Sequence, residues 1–408
     1  MHPEPFSFLD QEHDTVIHLQ QELVSRPALG PENGGQGEQA KADYLASYLH
    51  EIGLTDIRNL SVPDPRVSSG QRPNLMALVP GQDPSSTLWI VSHMDVVPPG
   101  DSSLWNTDPY VLHRDGDCIY GRGVEDNHHG LVASLLATKA LVHTGSAPAN
   151  NLGLLLVADE ETGNSYGLEH VFNKHRHIFQ KGDRFLVPDF GQPDASMIEV
   201  AEKGLMWLQI TVSGKQCHAS TPQEGQNSLL AAAKCILSLR ELYADFKAEN
   251  TLFNPQYSTF ESTKIEANVP NVNTIPGRDV FYLDCRVLPE YPLSDVLTEV
   301  QNILLNVSRD TGQRIEMEVV HQQKASHTSS QSHLVTSLQK AIADVCAVQA
   351  QPRGIGGGTV ASYARHQGFP AAVWATLPGN AHQPNEQTSI ANIVQDAKVM
   401  AWLALDPT

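Results

Sequence analysis

Positive charge is scarce in this chain: 27 Lys and Arg stand against 46 Asp and Glu, a formal net charge of −19. A phosphate backbone or an anionic lipid surface would repel such a chain, so neither nucleic acid nor a membrane is an expected partner. Long apolar runs are also missing. The longest, such as Leu152 to Ala158, fall far short of the ~20 residues of a bilayer span. Met1 to Asp14 is acidic and lacks a basic region followed by an apolar stretch, which argues against a secretory signal and makes a cytoplasmic location the expectation. Cysteine is sparse and scattered. Cys118, Cys217, Cys235, Cys285 and Cys346 are odd in number and form no CxxC pair, so neither a disulfide framework nor a thiolate zinc site is suggested.

What remains has globular composition, with 40% hydrophobic and 18% charged residues over 408 positions. At ~150 residues per domain this length suggests two to three domains. Helical spacing at Val16, Ile17, Leu19, Leu23 and at Ala40, Tyr44, Leu45, Tyr48 predicts two opening helices. Short apolar runs at 88–91, 154–158 and 185–187 then alternate with helical patterns at 131–142 and 168–172. That alternation predicts an α/β fold with a mainly parallel sheet. After Lys203 the pattern becomes strand 205–212, helix 228–242, strands 262–267 and 279–287, helix 294–307 and strand 314–320. This βαββαβ order is ferredoxin-like. Alternation resumes with a helix at 332–345, a strand at 371–375 and a helix at 390–405. The expected organisation is one α/β domain made of residues 1–203 and 321–408, interrupted by an α+β insertion over 204–320.

The unusual count is histidine, 18 in all. His93 and Asp95 directly follow the 88–91 strand, at the carboxyl end where open α/β sheets gather ligands. Asp126 closes the turn Gly121-Arg122-Gly123-Val124-Glu125-Asp126, where it could equally cap the following helix. Glu160-Glu161 follows the 154–158 strand, Asp189 follows 185–187, and His382 follows 371–375. Each position alone is weak. Together they place two imidazoles and four or five carboxylates past the ends of strands in one sheet, a donor set that suits zinc, with manganese or cobalt as substitutes. Balancing that many acids would take about two divalent cations.

In these pieces the chain resembles the metallopeptidases that include acetylornithine deacetylase, succinyl-diaminopimelate desuccinylase, aminoacylase, carboxypeptidase G and bacterial dipeptidases. The matching segments are His93-Met94-Asp95-Val96-Val97-Pro98, Gly121-Arg122-Gly123 with Asp126, Glu160-Glu161, Asp189, His218-Ala219-Ser220-Thr221-Pro222, Asn273-Thr274-Ile275-Pro276, Asp284-Cys285-Arg286 and the stretch around His382. The resemblance implies a two-zinc amide hydrolase in which Asp126 bridges both metals. His93 and Asp189 would complete one site, Glu161 and His382 the other. Glu160 would be the general base and Asp95 the partner of the His93 ring. His218 would stabilise the oxyanion, Arg286 and Asn273 would contact the substrate, and Gly357, Gly358 and Thr359 would line the pocket. The insertion would serve as a lid or as the interface of a homodimer that lends His218 to its neighbour. The resemblance further implies a cis Asp126–Asn127 bond. The substrate would be a small carboxylate-bearing amide, an N-acyl amino acid or a dipeptide, with Gly356 to Ala361 and Ala381-His382-Gln383 leaning to the dipeptide. One departure is visible: where relatives carry a lysine and glycines after the bridging Asp, this chain has Asn127-His128-His129-Gly130. His128 and His129 are read as the exposed start of a helix.

Two other classes stand as alternatives. Gly163-Asn164-Ser165-Tyr166-Gly167 matches the nucleophile elbow of a serine hydrolase, but an elbow needs a strand running straight into Ser165 and residues 159–162 intervene. A non-catalytic binding protein on the same fold would be favoured by loss of Glu160 or a ligand, and all are present. Gly354 to Thr359 lacks the Lys of a phosphate-binding loop. His170, His175 and His177 read as a solvated helix end.

Overall fold

The computed structural model describes residues 3–406, and the chain forms two compact units. The first runs through Val200, resumes over Thr328–Arg353 and continues from Thr359; the second holds Ala201–His327 together with Gly354–Gly358. The glycine-rich segment, read from the sequence as part of the flanking domain, therefore groups with the insertion. No helix among the described residues is long and apolar enough to cross a membrane.

In the first unit, α1 (His13–Val24) buries Val16, Leu19 and Leu23, and α2 (Gln39–Glu51) buries Ala42, Leu45 and Leu49, the one-face spacing of amphipathic helices. Strands β1 (Leu75–Val79) and β2 (Asp83–His93) precede α3 (His128–Thr144), β3 (Asn150–Val157), α4 (Leu168–His175), β4 (Arg184–Val187) and β5 (Met197–Glu202). The second unit then contributes β6 (Gly204–Ser213), α5 (Ser228–Ser238), β7 (Thr259–Ile265), β8 (Arg278–Val287), α6 (Leu293–Thr311) and β9 (Arg314–Gln323). The chain returns through α7 (His333–Cys346), β10 (Ala371–Val373) and α8 (Ile390–Leu405).

The large sheet runs β1-β3-β2-β4-β10-β5 through the first unit. Its centre, β3-β2-β4-β10, is parallel, as the alternating pattern predicts. Antiparallel pairs extend it on both flanks, β1 beside β3 and β5 beside β10. Every residue of β3 is buried, which explains why it reads as a continuous apolar run rather than an alternation. The parallel centre brings the carboxyl ends of β2, β3, β4 and β10 to one edge.

The main sheet of the second unit is antiparallel, in the order β7-β8-β6-β9. Along β6, Met206, Leu208, Ile210 and Val212 are buried, and with Ala231, Cys235, Val296, Val300 and Ile303 of the two helices they make its core. The Asn227 side chain caps α5 by accepting from Leu229 N and Leu230 N. Gly312, at φ 70°, ends α6 in the left-handed conformation.

Candidate metal centre and active site

Four strand ends deliver the site. β2 ends on His93, whose Nε2 lies 2.8 Å from Asp126 Oδ1 and 3.4 Å from Asp189 Oδ1. Past β10, His382 turns at φ 65°, and its Nε2 sits 3.0 Å from Asp126 Oδ2 and 3.1 Å from Glu161 Oε2. Asp126 thus offers one oxygen to each imidazole. Two groups result, His93–Asp126–Asp189 and Asp126–Glu161–His382, each with ligand atoms within 4.8 Å of one another. Helix capping does not account for Asp126, because α3 has Asn127 at its N-cap with no side-chain cap bond. The Asp126–Asn127 bond is cis, as the resemblance implies.

Asp95 organises the neighbours. His93 Nδ1 lies 3.0 Å from its backbone oxygen and 3.5 Å from its Oδ1. The same carboxylate accepts from Glu160 N at 3.1 Å and Glu161 N at 3.0 Å, so it fixes the backbone that carries both acids. Just before them Asp159 adopts φ 61°, a conformation that costs a non-glycine residue roughly 1–2 kcal/mol. Its carboxylate recovers two bonds, from Tyr166 N and from Thr162 Oγ1. The Glu160 carboxylate makes no hydrogen bond to a described residue.

The electrostatics call for cations. Burial, followed by the charge of Asp189, pushes Glu160 well above the ordinary carboxylate range, and burial raises Glu161 to about 7 despite the His382 ring. For Asp126, burial acts upward, but the His382 and His93 rings reverse it and hold the carboxyl below its ordinary range. His93 is itself raised: burial disfavours its charge, and Asp189 and Asp126 outweigh that. Five carboxylates facing two imidazoles are short of positive charge. Nitrogen and oxygen donors in two groups that share Asp126 fit a pair of divalent cations.

Several supporting residues escape sequence reasoning. Buried Glu386 accepts from Arg122 Nη1 at 2.5 Å and from the backbone N–H groups of Gly123, Glu125 and Asp126. Glu125 accepts from Gly379 N and Asn380 N, anchoring the loop that carries His382. Asn127 Nδ2 donates to Asp189 Oδ1 at 2.6 Å. Arg122, Glu125 and Glu386 lie inside segments already marked by the motifs, and that adjacency was the available signal. Lys41 carried none. The reading of His128 and His129 as exposed is overturned: they are 1% and 0% exposed. His129 lies between Thr388 Oγ1, at 2.6 Å, and Asp396 Oδ2, at 2.9 Å. Almost every residue of α3 is buried, so it has no solvent face for its first turn to join.

The remaining expected residues fall in the second unit, apart from Thr359. His218 is exposed, and its Nδ1 accepts from Ser220 N at 3.1 Å, which leaves the ring proton of the neutral form on Nε2. Asn273 is its neighbour: the ribbon Cys217–His218 pairs with Thr274–Ile275, and Ala219 N donates to Asn273 O. Arg286 gives Nε and Nη2 to Asp284 and Nη1 to Gly356 O at 2.7 Å, beside Gly357 and Gly358. In the first unit, Thr359 accepts from Ala361 N and Ser362 Oγ at the start of a short helix. Ser165 is exposed in a turn that no strand enters directly, so the serine-hydrolase alternative lacks its scaffold.

Fold and site together define a class, the metal-dependent hydrolases of peptide and amide bonds. The sequence pattern of peptidase family M20/M25/M40 matches residues 89–406, and the chain belongs to that family. A protein of Methanococcus maripaludis named as an uncharacterized metallohydrolase is 38% identical over 405 residues, covering 95% of this chain and 97% of its own. A succinyl-diaminopimelate desuccinylase of Paracidovorax citrulli is 30% identical over 300 residues, 71% of this chain and 72% of its own. Among solved structures, the aminopeptidase PepT from Bacillus cereus superposes with a TM-score of 0.76 at 17% identity, over 96% of this chain and 98% of the other. That likeness shows the fold.

Proposed function

We propose that the protein is a di-zinc hydrolase of small carboxylate-bearing amides, an N-acyl amino acid or a dipeptide, with cobalt or manganese as substitute metals. The observation that carries this reading is Asp126, whose two oxygens face the two imidazole groups. His93, Asp126 and Asp189 would hold one cation, and Asp126, Glu161 and His382 the other. Bound there, the cations supply Lewis acidity to the scissile carbonyl and lower the pKa of water.

The chain's own groups do the rest. Glu160, whose carboxylate makes no hydrogen bond to a described residue, takes the proton of the attacking water and delivers it to the leaving amine. Asp95 orients the His93 ring. His218, with its proton on Nε2, donates to the developing oxyanion. Of the five N–H groups of Arg286, three are spent on Asp284 and Gly356, and the two left at the Nη end suit a substrate carboxylate. Asn273 would add an amide contact, and Gly357, Gly358 and Thr359 would line the pocket. The inserted unit would close over substrate, or form a homodimer that lends His218 across.

The test combines elemental analysis with a hydrolysis screen of acetyl-, succinyl- and aminoacyl-amino acids at matched concentration. Two metals per chain are expected. Glu160→Gln should keep them while kcat falls by about 10²–10⁴-fold. Negligible metal after supplementation, with activity intact in chelator, would sink the mechanism; near-normal kcat in Glu160→Gln would remove Glu160 as the base.

A further inference from the structure

Lys41, on α2, is 1% exposed and forms no ion pair with a described carboxylate. Burying an amine away from water carries a desolvation penalty that a methionine would not. Its contacts supply the reason for its presence. Nζ lies 2.8 Å from Met94 O and 2.7 Å from His128 Nε2. Met94 stands between His93 and Asp95, and His128 follows Asp126 by two residues. One amine therefore ties the turn after β2 to the turn that opens α3, and these two turns carry three of the site's central groups.

The far end of the tie is held in place. A Cβ on Gly123 would come within 2.8 Å of His128 Cε1, so the imidazole packs against the backbone of its own turn. His128 Nδ1 has no hydrogen-bond partner, so the Lys41 contact is the ring's single polar tether among the described residues. An amine keeps an N–H for Met94 O whether or not it is protonated, so the tie does not depend on its charge.

We propose that Lys41 is a positioning residue for the metal centre, a crossbar that sets the spacing between the His93–Asp95 turn and the Asp126 turn through Met94 O and His128. The proposal rests on the metal-centre reading above. Groups that orient ligands typically contribute about 10–100-fold in metal affinity or activity when removed.

The experiment compares wild type, Lys41→Met, His128→Phe and the double variant. Each is stripped of metal and titrated with zinc against a chromophoric chelator at a temperature where all are folded, with kcat and KM measured alongside. Lys41→Met should weaken metal affinity and lower kcat by about 10–100-fold with KM within about twofold. His128→Phe, which keeps a ring but offers no acceptor, should fall in the same direction, and the double variant should be no worse than Lys41→Met, because both changes break one tie. A buried residue with only a packing role would lower thermal stability and leave the affinity of the folded protein unmoved. Wild-type affinity in both single variants, or losses that simply add, would overturn the crossbar. Should Lys41→Met not fold, His128→Phe decides by the same competition. A wild-type chain that takes up no zinc would instead sink the functional reading itself.

Discussion

Replacing Glu386 by Gln tests how firmly the Asp126 turn is held. The carboxylate is fully buried, with Oε2 accepting from Arg122 Nη1 and Gly123 N, and Oε1 from Glu125 N and Asp126 N. Burial pushes its pKa up, and Arg122 with the backbone N–H groups works in the opposite direction. Glutamine keeps the shape and one acceptor oxygen. Whichever end becomes the amide nitrogen, two donors lose their acceptor and face another donor, each at about 1–3 kcal/mol. Arg122 is also left as a buried cation without its partner, a loss of about 3–5 kcal/mol in comparable pairs. These terms describe overlapping contacts, so about 3–5 kcal/mol is the expected total. Urea unfolding of the metal-free protein, followed by circular dichroism, should show a lower midpoint at unchanged slope. Zinc affinity should fall with it, because either orientation of the amide takes an acceptor away from a backbone N–H of the turn that carries Asp126. A change below about 1 kcal/mol with undiminished zinc binding would show that the turn is held by other contacts.

Three further outcomes are expected. Arg286→Ala should raise KM with a smaller effect on kcat, and a pure kcat loss would refute its carboxylate role. His218→Ala should mainly lower kcat; if the chain dimerises, mixing it with Glu160→Gln chains should restore some activity, and no recovery in a subunit-exchanging dimer would refute the in-trans arrangement. Lys203 gives Nζ to Pro255 O and Tyr257 O, and burial lowers its pKa to about 8. The unfolded chain then binds the extra proton between pH ~8 and ~10.4, so the stability of wild type relative to Lys203→Met should rise across that window, by at most about 1.4 kcal/mol per pH unit, with the full penalty below pH 8. A flat difference would mean that the amine titrates normally.

Much of the centre was legible because β2, β3 and β4 are short apolar runs, and an acid or imidazole following such a run falls at the ligand-gathering edge of a parallel sheet. The alternation of β6 likewise announced its buried face. The antiparallel flanks were hidden, because β1 and β5 are as buried as the parallel strands and their direction leaves no mark on the pattern. His128 and His129 misled for a related reason: inside a helix buried all round, polar residues give no clue to exposure. Lys41 and Glu38 lie in an ordinary amphipathic stretch, and their partners, His128 and Arg72, are distant in sequence. Only the folded chain brings them together.

The five residues Gly354–Gly358 carry a consequence for any attempt to isolate the inserted unit. Residues 201–327 look like a separable cassette, yet Lys203 N donates to Ile355 O and Arg286 Nη1 to Gly356 O. A fragment cut at 201 and 327 would leave both donors without their acceptors and the guanidinium held by Asp284 alone. Transplanting the cassette into another scaffold would therefore need two grafts rather than one. By the same reasoning, insertions or deletions around residue 355 should act on Arg286, almost seventy positions away in the chain.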